Sequence, residues 1–68
     1  MICPMCKQDE VVKARVIQTG RCIFICPECD SVWFDINDIG SDKVFFYETI
    51  MKLENIPPYW SELEVLKQ

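Results

Sequence analysis

Cys3-Pro4-Met5-Cys6 and Cys26-Pro27-Glu28-Cys29 are two Cys-Pro-x-Cys motifs, and they decide the fold of this 68-residue chain. The 19 residues between them, 7–25, are enough for one strand to run out and a second to return. Each motif is a tight turn that directs two sulfurs to one side, so a hairpin can bring four thiols to one tetrahedral ion. We therefore predict that these cysteines bind one metal ion rather than serve as buried or redox-active thiols; the ligands are Cys3, Cys6, Cys26 and Cys29.

The chain is too short to be held together by apolar packing alone. Below about 70–80 residues a hydrophobic core rarely supplies more than about 3–5 kcal/mol. Structural zinc contributes an apparent ~10–16 kcal/mol in small finger peptides, so metal binding can provide much of the folding free energy. We expect a chelator to unfold the N-terminal half.

The N-terminus and the cysteine count bear on the cellular compartment. The sequence opens Met-Ile-Cys-Pro, without the basic and apolar segments of a secretory signal, and it has no apolar run near the ~20 residues of a membrane span. Five cysteines is an odd number. We expect a cytoplasmic protein with reduced thiols and no membrane association, which favours metal binding over disulfides.

The formal net charge of −4 lies entirely in the second half of the chain. Residues 1–34 hold four basic and four acidic side chains, whereas residues 35–68 hold three basic and seven acidic ones. Four thiolates around a divalent ion add about two further negative charges. Such a surface repels the phosphates whose neutralisation dominates nucleic-acid affinity. It suits a basic protein partner better.

Three strands are predicted around the motifs. Residues 11–17 form the first, in which apolar side chains at 12, 14 and 16 alternate with basic ones as in a half-buried strand, and residues 18–21 form the turn after it. Residues 22–25 return as a more apolar strand, and residues 31–34 add a third. This arrangement is a zinc ribbon.

The fifth cysteine, Cys22, shares a strand face with Phe24 and Cys26. It lies about 13 Å along the strand from Cys26 at ~3.3 Å per residue, too far to share the ion. We interpret Cys22 as a small buried hydrophobe.

Two helices are predicted after the ribbon. The longer begins at Ser41 or Asp42, ends near Glu54, and presents an apolar face made of Phe46, Tyr47, Ile50, Met51 and Leu53. After the break at 56–58, residues 59–66 have the spacing of a short closing helix. The predicted fold class is a small metal-stabilised α+β unit: a zinc ribbon of two to three antiparallel strands at 1–38, and an acidic helical extension at 39–68 packed on it.

Several side chains are candidates for contacting a partner. Phe45 falls on the polar side of the predicted helix, where a large aromatic is either a packing contact or an anchor of the kind enriched at interfaces. Trp60 packs on the body, or is a hot-spot candidate if exposed. With nearby acidic groups, the candidate partner-binding set is Asp38, Asp42, Phe45, Glu48 and Trp60.

The residue types present argue against catalysis. The chain has no histidine, and four thiolate ligands leave a metal no open position for a water molecule. We therefore expect a non-catalytic protein that binds a basic protein partner, for instance an immunity-type inhibitor of a toxin or nuclease, on grounds of size and charge. The alternative is a transcription- or translation-associated zinc ribbon that contacts nucleic acid through Lys13, Arg15 and Arg21.

Two families share parts of this pattern. The paired motifs resemble those of rubredoxins, one-iron electron carriers. Lys7 and Asp30, however, stand where that family has glycine. Because lysine adopts positive φ poorly, iron is the minor alternative to zinc. The run from Cys26 to Asp35 resembles the small zinc ribbons named after transcription factor IIB, over residues 1–38. That resemblance implies the four cysteine ligands and a packing role for Trp33 beside the metal. It departs at Asp30-Ser31, where small residues or glycines are usual.

Overall fold

The computed structural model describes residues 2–66 and shows a small α+β protein with a five-stranded antiparallel sheet and one α-helix. Met1, Lys67 and Gln68, at the ends of the two predicted segments, lie outside the described residues. The sheet order is β4-β3-β2-β1-β5. The elements are β1 (Val12–Val16), β2 (Cys22–Ile25), β3 (Ser31–Trp33), β4 (Phe45–Phe46), α1 (Tyr47–Leu53) and β5 (Leu63–Val65).

The three predicted strands are present with ends within one residue of expectation. The β1–β2 register pairs Ala14 with Ile23 and Lys13 with Phe24. Successive side chains of a strand point to opposite faces, so apolar residues gather on one face and Lys13 and Phe24 lie on the other.

The main helix begins later than predicted. Phe45 and Phe46, expected inside it, pair with Val32 and Ser31 as the edge strand β4. Helix α1 therefore starts at Tyr47, whose N–H donates to the carbonyl of Asp30 (2.9 Å). Consecutive aromatic residues fit a pleated strand well, and the sheet edge offers them backbone partners that a local helix start does not. Phe46 is consequently exposed, and Leu53, which remains in α1, is exposed as well, although the predicted helix buried both.

The end of the helix is close to the predicted position. Asn55 has φ 57°, and its N–H and that of Ile56 donate to the carbonyls of Lys52 (3.2 Å) and Met51 (3.0 Å). These two hydrogen bonds form a Schellman motif, and the buried side chains of Ile56 and Met51 occupy its hydrophobic positions.

The predicted closing helix at 59–66 is wrong. Residues Trp60–Glu62 form a single 3₁₀ turn, and Leu63–Val65 forms β5, which pairs with β1 through Leu63 opposite Val16 and Val65 opposite Ala14. The helical spacing of Tyr59, Leu63 and Leu66 is outweighed by hydrogen bonding along the free edge of β1. A second 3₁₀ turn, Ile36–Asp38, follows β3, with the Asp35 carboxylate accepting from Asn37 N–H (2.8 Å).

Two buried clusters lie on opposite faces of the sheet. The helix-side cluster packs α1 against aliphatic strand residues, and the cysteine-side cluster surrounds Trp33. The helix-side members are Ala14, Val16, Ile23, Ile25, Val32, Tyr47, Ile50, Met51, Ile56 and Leu63, and the buried cysteine-side members are Cys3, Cys26 and Trp33. Within residues 2–66, α1 is too short to cross a bilayer, and no other helix qualifies as a span.

Candidate metal centre

The four cysteines predicted as ligands converge on one point. Their Sγ atoms all lie within 4.8 Å of one another, and the Cys3–Cys29 and Cys6–Cys26 pairs are each 3.6 Å apart. Four sulfurs about 2.3 Å from a tetrahedral zinc ion would be separated by roughly 3.8 Å. The spacing fits a shared ion, and it is too long for sulfur–sulfur bonds. Cys3, Cys6, Cys26 and Cys29 can therefore bind one metal ion.

Each Cys-Pro-x-Cys motif is closed by a backbone hydrogen bond. Lys7 N–H donates to the Cys3 carbonyl and Asp30 N–H to the Cys26 carbonyl, each at 3.0 Å. These turns need a left-handed residue at the end, and Lys7 (φ 58°) and Asp30 (φ 60°) supply it. We expected lysine to resist this conformation, which favoured zinc over iron. Because both residues adopt it, the backbone at these positions accommodates either metal.

Flanking strands hold the two motifs in place. The first precedes β1 and is tied back by Cys3 N–H donating to the Asp9 carbonyl (2.8 Å) and by an isolated bridge between Ile2 and Glu10. The second connects β2 to β3, and Cys26 N–H donates to the Ser31 carbonyl (3.0 Å). Both pairs of thiols are thus fixed to the same sheet.

The metal-free thiols have unequal proton affinities. Burial raises the pKa of Cys3, but hydrogen bonds from the backbone N–H groups of Cys6 and Met5 and contacts with neighbouring thiols outweigh it and lower this pKa to about 7. Burial raises the pKa of Cys26 to about 12, despite N–H donors at Cys29 and Glu28. Protons held in this way must leave when a cation binds, so the centre exchanges protons for metal.

The surroundings of the thiols are apolar, apart from two groups on β3. Trp33 is fully buried against Cys3 and Cys26, as the family resemblance implied, and its Nε1 has no hydrogen-bond partner among the described residues. Ser31 is buried too, and its Oγ lies 3.1 Å from Cys29 Sγ. The sequence singled out Ser31 only as a departure from small residues or glycine, so this contact was not foreseen.

The prediction that Cys22 is buried is wrong. Cys22 is exposed and lies opposite Arg15 at the far end of β2. The face it shares with Phe24 is covered near the cysteine motifs and open at its other end, because α1 packs on the opposite face. Cys22 is not part of the four-sulfur group.

The five candidate partner-binding residues are dispersed over several segments. Phe45 is exposed on β4, and its ring lies 5.1 Å from that of Phe34. Glu48 is on the first turn of α1, beside an open groove that continues to Pro57 and Pro58. The remaining three are Asp38, half-buried in the first 3₁₀ turn; Asp42, exposed in the loop before β4; and Trp60, half-buried 6.4 Å from the Tyr47 ring.

Two of the three cations proposed for nucleic-acid contact have acidic partners. Arg15 forms an ion pair with Glu64 across the β1–β5 pair. Arg21 lies over the Phe34 ring (5.3 Å to the centroid) and 3.9 Å from Glu54. Lys13 lies on the same sheet face as Arg15, while Arg21 is in the turn before β2.

Comparisons with protein-family models, with curated proteins and with solved structures found no match to this chain. The resemblance to transcription-factor-IIB-type ribbons is therefore supported by the cysteine motifs and their convergence alone.

Proposed function

We propose that this chain is a non-catalytic zinc-ribbon protein that binds a basic protein partner. The observation that carries the proposal is the exposed aromatic pair Phe34 and Phe45, whose rings lie 5.1 Å apart at the β4 edge of the sheet, on its helix side. Four thiolates complete a tetrahedral site, so the ion would support the sheet and leave no position for a substrate.

The surface around this aromatic pair has the composition of a binding patch. Phe34 and Phe45 are 37% and 44% exposed, and a small apolar notch of about 20 Å³ opens between Phe34 and the end of α1. Arg21 and Glu54 line the rim of this notch. Aromatic anchors next to a small pocket with a polar rim are typical of interface hot spots.

The negative net charge of the chain supports a basic protein as the partner. The chain carries −4, and Asp35, Asp42 and Glu48 follow or precede the aromatic residues closely in sequence. Opposite charge accelerates association and disfavours wrong partners. An immunity-type inhibitor of a basic toxin or nuclease is the specific form of this proposal, and it rests on size and charge.

The experiment is capture with the metal-loaded tagged protein at moderate salt, with and without nuclease. The bait is tested as wild type, as Phe45→Ala and as Leu53→Ala. Leu53 is the matched control because it is a large apolar side chain, 80% exposed, outside the aromatic pair. A stoichiometric basic protein that survives nuclease, is lost with Phe45→Ala and is retained with Leu53→Ala supports the proposal. Equal recovery by all three baits removes Phe45 from the binding surface.

A nucleic-acid-binding ribbon is the second candidate, because Lys13, Arg15 and Phe24 share the sheet face opposite α1. Aromatic and basic side chains on an open sheet face are used to bind single strands. Glu64 beside Arg15 and Glu54 near Arg21 weigh against it. Nuclease-sensitive recovery of nucleic acid, abolished by Lys13→Glu, would favour this candidate over the first.

A further inference from the structure

Among the described residues, one polar residue is buried: Ser31, with 1% of its surface exposed. It begins β3, on the face of the sheet that carries Trp33 and the cysteines. Its Oγ lies 3.1 Å from Cys29 Sγ, and its carbonyl accepts the N–H of Cys26. Ser31 therefore contacts one ligand through its side chain and supports another through its backbone.

The chemistry of the contact fixes the direction of the hydrogen bond. A buried hydroxyl is unfavourable unless it has a partner, so alanine or glycine would suit this position if no acceptor were present. A metal-bound cysteine is a thiolate and only accepts hydrogen bonds. The Ser31 hydroxyl must then donate to Cys29, and hydrogen bonds to ionised acceptors are the stronger kind.

We propose that Ser31 is a positioning residue of the metal centre, whose hydroxyl donates to the Cys29 thiolate, fixes that sulfur and withdraws electron density from it. Cys29 and Cys6 are the half-buried ligands, whereas Cys3 and Cys26 are fully buried. The bond thus supports a ligand that packing leaves less constrained. This inference rests on the metal-centre part of the proposed function and is independent of partner binding.

The test uses cobalt(II) as a spectroscopic substitute for the resident ion, in wild type, Ser31→Ala, Ser31→Gly and Ser31→Thr. Loss of an outer-shell partner typically lowers metal affinity by about 10–100-fold, and we expect this for alanine and glycine in competition with a chelator. Without the hydroxyl, Cys29 sulfur is more electron-rich, so the sulfur-to-cobalt charge-transfer band moves to lower energy. Threonine keeps the hydroxyl and restores the band. Ser61→Ala, on the exposed 3₁₀ turn remote from the cysteines, serves as the unchanged control.

The variants separate hydrogen bonding from packing. Alanine and glycine differ in volume but both lack the donor, so an equal band shift in the two supports the proposal even if threonine is too large to fold. A wild-type band position in both overturns it, whether or not affinity falls. Absence of cobalt uptake by the wild type overturns the metal centre together with this inference, while normal wild-type uptake with unshifted variants overturns this inference alone.

Discussion

The two faces of the sheet are stabilised by different kinds of interaction. On the helix side, ten side chains form a continuous buried cluster in which α1 and the strands supply apolar area. On the cysteine side, the buried hydrophobic cluster of the described residues has three members, and two of them are cysteines. The helix side is stabilised by burial, which depends on many small contacts. The cysteine side would depend on one ion bound by the four cysteines, and its removal would leave four thiols crowded together with unequal proton affinities.

Metal removal should have the largest effect, and each face contains one tryptophan to report it. Trp33 lies against the cysteines and Trp60 against Tyr47, so Trp60→Phe and Trp33→Phe each leave one reporter. A structural ion is worth an apparent ~10–16 kcal/mol and a core of this size about 3–5 kcal/mol. Strands β2 and β3 carry residues of both clusters. We expect a chelator to shift the emission of both tryptophans to longer wavelength in one transition. The sequence predicted unfolding of the N-terminal half, and the shared strands extend that prediction to the helix side. Unchanged Trp60 emission would mean that the helix side folds without metal.

Single cysteine substitutions should distinguish a metal-binding cysteine from Cys22, which lies outside the four-sulfur group. Cys26→Ser removes a buried ligand, and we expect divalent-metal affinity to fall by well over 100-fold, because loss of an outer-shell partner alone costs about 10–100-fold. Cys22→Ser is the matched control, since Cys22 is exposed and outside the four-sulfur group. Competition with a chromophoric chelator measures both. Comparable losses in the two variants would contradict the assignment of Cys22.

The features that depend on residues close together in the chain could be predicted from the sequence. Spacing predicts the cysteine cluster, alternation predicts β1, and the apolar run at 22–25 predicts β2, because all three patterns depend on neighbours a few residues apart. Strands β4 and β5 were missed because they form by pairing with the edges of β3 and β1. The exposure of Cys22 was missed for a related reason: which end of a sheet face is covered depends on where the cysteine motifs fold back, and alternation alone does not specify it.

On the helix side, one core truncation should cost much less than metal removal, yet remain easy to measure. Met51 is buried in the helix-side cluster, and Met51→Ala should lower the free energy of unfolding of the metal-loaded protein by about 2–5 kcal/mol. Leu53→Ala, two residues along the same helix but exposed, should change it by less than about 0.5 kcal/mol. Urea denaturation measures both. The cobalt charge-transfer band should not move in either variant; a shift with Met51→Ala would mean that the two faces are coupled through the sheet.

The smallest predicted effect concerns the one phenol in the helix-side cluster. Tyr47 donates its hydroxyl to the Tyr59 carbonyl (2.9 Å), and burial, followed by the charges of Glu62 and Asp30, raises the pKa of Tyr47 above its usual value of 10.0. A phenol that ionises more readily in the unfolded chain stabilises the folded state below pH 10, and this contribution is lost as pH rises from 10 through the folded-state pKa. Tyr47→Phe should therefore cost about 0.5–1.5 kcal/mol at neutral pH through the lost hydrogen bond. Above pH 10 the stability of Tyr47→Phe should decline less steeply than that of wild type.

Tyr59→Phe keeps the acceptor carbonyl and changes an exposed ring, so its pH profile should follow wild type. Parallel profiles for wild type and Tyr47→Phe would show that the Tyr47 hydroxyl ionises equally readily in both states, and the helix-side cluster would then lack the protection from solvent that separates it from the cysteine side.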